Sequence, residues 1–124
     1  MDHLINIKKG DGFVHSYFRG PITLERLAEL ITKTARIAKE WGSEKYLADF
    51  RDAGKRQINF TDDYDLAYRK VKEYGFKPGS KHALLIRRDE EIDQWGFVET
   101  VFQNAGFTLR IFTEEEVALD WIRK

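Results

Sequence analysis

The residues whose types and spacing could do chemistry crowd one short stretch: Asp49, Arg51, Asp52, Lys55 and Arg56, with Thr61 shortly after. An arginine presents a planar fork of donors that matches a carboxylate or a phosphate. Arg51 and Arg56 therefore read as contacts to an anion or to an acidic partner. The plain alternative is a solvated loop with local ion pairs, which contribute little. Asp49 or Asp52 could instead accept a phosphoryl group. That chemistry needs further acids after the first strand to hold Mg²⁺, and a lysine after the last. Here the first strand ends in Lys8-Lys9 and the last in Thr113, so the context is missing. Thr61 reads as a helix N-cap whose hydroxyl accepts a backbone N–H. Phosphorylated, it would place a dianion at a helix N-terminus with Arg56 nearby.

A second set is aromatic. Trp95, Val98 and Phe102, with Phe97 and Val101, give one helix a wider apolar arc than a single buried face requires. Tyr64 and Tyr68 on the preceding helix each combine an apolar body with a polar tip. Together these residues suit the wall of an apolar ligand pocket or an interface, with a partner protein or a second copy of the chain. Plain core uses the same residues.

Other chemistries find less. His3, His15 and His82 share no metal-ligand spacing. Ser16, Ser43 and Ser80 lie in no Gly-x-Ser-x-Gly context. Gly10 and Gly12 lack the third glycine of a dinucleotide fingerprint. There is no cysteine, which excludes disulfides, thiolate metal sites and cysteine nucleophiles. No cofactor is implied, and no enzyme is supported. With 21 basic and 21 acidic residues the formal net charge is zero, and neither half is a basic arm or an acidic tail. A dedicated nucleic-acid binder would need clustered positive charge. The start, Met1 to Lys9, shows no signal-peptide pattern. Apolar runs fall far short of the roughly 20 residues that span a bilayer. The expectation is a cytoplasmic protein.

These residues must be held by elements that the patterning marks out. At 124 residues the chain is expected to be one domain. Strands read at Leu4–Lys8 and Phe13–Arg19, joined by Gly10-Asp11-Gly12 and ended by Gly20-Pro21. Thr23 caps a helix with Leu24, Leu27, Ala28, Ile31, Ala35 and Ala38 inside, widened by Leu30, Ile37 and Trp41, and Gly42 closes it. Tyr46–Phe50 is a third strand. A loop from Arg51 to Phe60 follows, longer than most strand-to-helix connections. A second helix from Asp62 to Tyr74 has Tyr64, Ala67, Tyr68 and Val71 inside. His82–Ile86 is a strand covered on both faces. Asp89 caps a third helix running to Asn104. Phe107–Phe112 is a fifth strand, and Thr113 to Glu116 form a capping box for a last helix with Val117, Ala118, Trp121 and Ile122 inside. The order β-β-α-β-α-β-α-β-α implies an α/β fold. A single mixed sheet of five strands, opened by an antiparallel hairpin and then mostly parallel, is flanked by about four helices.

Two stretches also carry a family resemblance. Leu47-Ala48-Asp49-Phe50-Arg51-Asp52-Ala53 is similar to the "LxDxRDA" signature of small bacterial SpoIIAA-like proteins, grouped with STAS domains. The tail from Leu109 to Ile122 resembles that family's "vRvFxdxeeAlxWL" ending, and Gly20 followed by Thr23 to Leu27 fits its strand-to-helix junction. The resemblance implies a five-stranded mixed sheet with flanking helices. It also implies a non-enzymatic regulatory module working by protein contact, centred on the loop after the third strand and the start of the second helix. STAS antagonists are switched by phosphorylation of a serine at that helix start. Here the region from Arg51 to Asp62 has no serine. Other relatives of the fold bind lipids, so a carrier of a small apolar ligand is the alternative, and an enzyme using Asp49 or Asp52 is a third.

Overall fold

Leu4–Lys9 (β1) and Val14–Ile22 (β2) form the opening hairpin, antiparallel from Leu4 opposite Arg19 to Lys9 opposite Val14. The computed structural model describes residues 3–88 and 92–124. In it β2 does not stop at Gly20-Pro21. It runs on to Ile22 beyond its last pair with β1, and there pairs in parallel with an additional strand, β4 (Ala53–Arg56). Gly20 faces Ala53, Ile22 faces Arg56, and the register shifts between them. Pro21 falls at that irregularity, where a missing N–H breaks no ladder. β4 lies inside the stretch that patterning reads as loop, because Ala53-Gly54-Lys55-Arg56 shows neither alternation nor β-branched side chains.

Helix α1 (Leu24–Trp41) starts and stops where its caps require. The Thr23 hydroxyl accepts from the Arg26 backbone N–H at 3.2 Å, and Gly42 closes the helix at φ 69°. Leu30, Ile31, Thr34, Ala35 and Ala38 turn inward, whereas Trp41 is exposed beside the Lys9 ammonium.

After β3 (Lys45–Asp49) and β4, a second helical run comprises α2 (Phe60–Asp65), a π-helical turn (Leu66–Lys70) and α3 (Val71–Tyr74). Its cap is Asn59, not Thr61. Asn59 and Asp62 form a reciprocal capping box, and Thr61 sits exposed in the first turn. Its inner face is Asp63, Leu66, Ala67 and Val71. Tyr64 and Tyr68, expected inside, are on the outside. The helix is turned by Asp63, which β4 supplies with a counter-charge in Arg56. The π-turn then lets Leu66 and Val71 both reach the core.

β5 (Lys81–Leu85), α4 (Ile92–Asn104), β6 (Thr108–Phe112) and α5 (Glu115–Arg123) complete the chain. The expected cap Asp89 lies outside the described residues. Glu114 stands at the N-cap of α5 with no side-chain bond, so the box from Thr113 to Glu116 does not form. The acids there are drawn to arginines instead, Glu114 to Arg88 and Glu115 to Arg51. Val117, expected inside, is exposed; Ala118 and Ile122 face the sheet.

The sheet order is β1-β2-β3-β5-β6, with every pair after the hairpin parallel and β4 attached beside β2. Alternation sorts the side chains. Phe18, Ala48, Leu84 and Ile111 face the layer of α1, α2–α3 and α4. Leu47, Ala83, Leu85 and Phe112 face α5 alone. Because α5 packs on β3, β5 and β6, the hairpin end of that second face stays open.

Candidate functional site

Arg51 stands where β3 ends, beside the open sheet face. Its Nε and Nη2 donate to Asp49 Oδ1 and Oδ2 at 3.0 and 2.8 Å, and its backbone N–H donates to the same Oδ1 at 3.0 Å. Nη2 also reaches Glu115 Oε1 on α5 at 3.0 Å. Burial by itself would raise the Asp49 carboxyl. The hydrogen bonds and charge of Arg51 outweigh it and hold the group below its ordinary value. Nearby, the Tyr17 hydroxyl donates to Asp52 Oδ2 at 2.6 Å, and this bond raises the phenol. With Lys8 and His15, the side chains of Tyr17, Asp49, Arg51 and Glu115 border a shallow depression of about 260 Å³. Burial, then the Lys8 charge, lowers the His15 imidazole. Arg87 Nη1 donates to the carbonyls of Arg51 and Ala53 at 2.6 and 3.1 Å, pinning the turn into β4.

Arg56 points the other way, under α2. Its Nη2 donates to Asp63 Oδ1 at 2.6 Å and its Nη1 to Oδ2 at 3.4 Å. The guanidinium carbon lies 5.1 Å from the centre of the Trp95 ring. The two charged side chains are 6% and 1% exposed. Burial raises the Asp63 carboxyl above its ordinary value, against the pull of Arg56. Both arginine forks are thus turned onto internal carboxylates. Lys55 and Thr61 are exposed. The candidate loop residues do not converge on one site. They divide between the sheet-face network, the interior and open surface.

The aromatic candidates divide as well. Trp95 and Val98 are buried and Phe102 is partly buried, with Trp95 against Phe50 at 5.4 Å between ring centres. Tyr64 and Tyr68 are 51% and 48% exposed and join Phe60, 61% exposed. Phe97 completes this cluster, its ring centre 4.6 Å from Phe60 and 5.6 Å from Tyr64. Sequence reasoning leaves Phe60 at the end of a loop. The missed signal is Asn59 three residues before Asp62, a capping pattern that brings Phe60 into the helix. Asp63, Glu115 and Arg87 carry no sequence signal of their roles, since each depends on a partner distant in the chain.

Among the described residues no group of three or more His, Asp or Glu side chains could hold a metal ion. No helix among them is long and apolar enough to cross a membrane.

No protein-family model matches the chain, and no curated protein matches it in sequence. Solved structures do. An anti-sigma factor antagonist from Mycobacterium paratuberculosis superposes with a TM-score of 0.67 at 12% identity, covering 98% of this chain and 95% of that one. An uncharacterized protein of the DUF3478 family with a SpoIIAA-like fold, from Shewanella loihica PV-4, gives 0.57 at 21% identity, again covering 98% and 95%. The architecture expected from the sequence, a mixed α/β sheet opened by an antiparallel hairpin, is this SpoIIAA-like fold.

Proposed function

We propose that the protein is a non-enzymatic regulatory module that docks a protein partner on the face shared by α2 and α4. The observation that carries this reading is the cluster of exposed Phe60, Tyr64 and Tyr68 with half-buried Phe97. Aromatic side chains that stay on the surface, grouped and touching one another, are the residues that dominate binding energy at interfaces. Asp93 lies one turn before Phe97 on α4, so the same helix face carries a negative charge beside the aromatics. The partner surface that fits is apolar with a basic edge. The fold supports the reading, since a solved protein sharing it is described as an antagonist of an anti-sigma factor, a protein target. The setting we infer is a bacterial cytoplasm. Thr61 is exposed in the first turn of α2 beside this face, and Arg56 supports the helix from below through Asp63.

The test places a photo-crosslinking amino acid at Tyr64 and, as control, at Lys39 on the exposed part of α1. Expression in the source bacterium should give a discrete protein adduct from position 64 only, lost when Phe60→Ser and Phe97→Ser are added. Equal labelling from both positions, or none from position 64, would sink the reading. Circular dichroism of each variant checks that the fold is retained.

A further inference from the structure

Two strands end the main sheet, and their outer edges differ. On β6 the Ile111 backbone N–H donates to Glu99 Oε2 at 2.9 Å, and the Leu109 carbonyl accepts from Gln103 Nε2 at 2.9 Å. Both side chains come from α4, one turn apart, and they take bonds that a further strand would make. On β1, the other edge, the backbone is open. The hairpin bond from Gly10 N–H to the Phe13 carbonyl, with the register behind it, turns the backbone of Leu4, Asn6 and Lys8 towards β2. The N–H and C=O groups of Ile5, Ile7 and Lys9 therefore point away from the sheet, and nothing among the described residues bonds to them. An edge of this kind is a template for another strand.

The two sides of the edge define what that strand would carry, since side chains alternate along it. On the side of α1, Ile5 and Ile7 are half-buried, Ile7 in one cluster with Ile37 and Ala38, and Trp41 stands 38% exposed at the end of the helix. This side is an apolar ledge. On the opposite side Lys8 is exposed beside His15, and Arg19 faces Leu4 across the hairpin. The acids there are already engaged, Asp49 and Glu115 by Arg51 and Asp52 by Tyr17. Lys8, Lys9 and Arg19 have no ion-pair partner among the described residues, and β1 and β2 contain no acid. A second copy of the chain fits this edge badly. An antiparallel pair of β1 strands would line four lysines along one ladder with no acid between them.

We propose that β1 receives an extended segment of a partner protein that alternates apolar and acidic residues, added antiparallel as a new edge strand. Its backbone bonds to Ile5, Ile7 and Lys9. The residues making those bonds lie directly opposite these three, on the same side of the sheet, and are the apolar ones. The acidic residues lie beside Leu4, Asn6 and Lys8, in the field of Lys8 and Arg19. This edge is across the sheet from β6, against which α4 packs, so its test leaves the reading of the aromatic face untouched.

The probe is a capped heptapeptide of alternating valine and glutamate, with lysine in place of glutamate as control. Amide hydrogen exchange of the ¹⁵N-labelled full chain is followed by NMR. In the free protein the amides of Ile5, Ile7 and Lys9 should exchange faster than those of Asn6 and Lys8, and saturation with the glutamate peptide should slow all three at least about tenfold. The lysine peptide should bind at least about tenfold more weakly, since cross-strand pairs change from opposite to like charge. Methylating the valine nitrogens, which face β1, should abolish binding, whereas methylating the glutamate nitrogens, which face solvent, should change it less than about threefold. Lys8→Glu should bring the two peptides within about threefold of each other. The proposal is overturned if the glutamate peptide shows no saturable binding, binds without slowing these amides, or responds equally to the two methylations. Slowed exchange at the same amides that rises with protein concentration in the absence of peptide would assign the edge to a second copy and overturn it too.

Discussion

Arg51 and Arg56 come from the same short stretch, and each takes an aspartate with both carboxylate oxygens. Their surroundings differ. The Arg51–Asp49 pair is 39% and 10% exposed and shares Glu115 at the edge of an open sheet face. The Arg56–Asp63 pair is 6% and 1% exposed beneath a helix, against Trp95. Water still screens the first pair and solvates its arginine. Around the second it has been replaced by aromatic and aliphatic side chains, so each charge depends on the other. One pair tethers a turn to α5. The other sets which face of α2 lies inward, and with it which aromatics reach the surface.

The largest effect should come from separating the buried pair. Arg56→Met leaves Asp63 charged in the interior and should destabilise by about 3–5 kcal/mol, read from urea denaturation at pH 7. Adding Asp63→Leu should recover most of that loss, since two well-packed apolar groups replace two mutually dependent charges. If the double variant is as unstable as the single one, the pair is not the device described above.

Acid compares the pairs with a third buried group. His82 stacks on Tyr46 at 4.7 Å, meets Phe76 and Phe107, and shares a 2.7 Å bond with Ser80 Oγ. Burial pushes its pKa down to about 3. The unfolded chain takes up a proton that the folded one refuses. Stability from this group is therefore complete above about pH 6.5 and falls as pH drops towards 3, by up to about 1.4 kcal/mol per pH unit. His82→Gln should flatten that slope in denaturation midpoints measured against pH.

The two pairs then differ in sign. The Asp63 carboxyl is raised on folding, so its charged form opposes folding, and less so as pH falls. Asp49 is lowered, so its contribution is present above its ordinary value and lost as acid protonates it in the fold. Relative to the parent at each pH, both the Arg56→Met and the Arg51→Ala deficits should start closing above pH 4, because each aspartate loses its guanidinium and keeps its burial, and the Arg51→Ala deficit should go on closing below pH 4, where the parent's Asp49 is still charged. At pH 7 Arg51→Ala should cost about 1–2 kcal/mol, the worth of a charge-assisted bidentate contact at a partly wet site.

The smallest effect anchors the scale. Arg69 also holds an aspartate with two bonds, to Asp65 at 2.9 and 3.0 Å, but on open helix surface. Arg69→Ala should leave the denaturation midpoint unchanged within error. A loss equal to that of Arg51→Ala would mean that burial is not what ranks these pairs.

How much of this was legible in the chain depends on how far apart the causes lie. Helix α1 is readable to the residue, because Thr23, the spaced apolar stripe and Gly42 are local signals. The hairpin and the strand-helix alternation are readable for the same reason. β4 is not, since Ala53 to Arg56 becomes a strand only by pairing with the far end of β2. The second helix was legible as a helix but not in its orientation. A stripe of Tyr64 and Tyr68 is a reasonable inner face until Arg56 arrives from β4 to make Asp63 the better one.

Sequence by itself determined the order of the elements apart from β4, the mixed sheet opened by a hairpin and the caps of α1, because periodicity and capping act over one or two turns of chain. Only tertiary structure decided that one arginine faces a sheet and the next the interior, that the tyrosines lie outside, and that α4 caps the edge of β6 while the edge of β1 stays open. The energy of a charge or an aromatic ring depends on what surrounds it in space, and those surroundings come from residues distant in the chain.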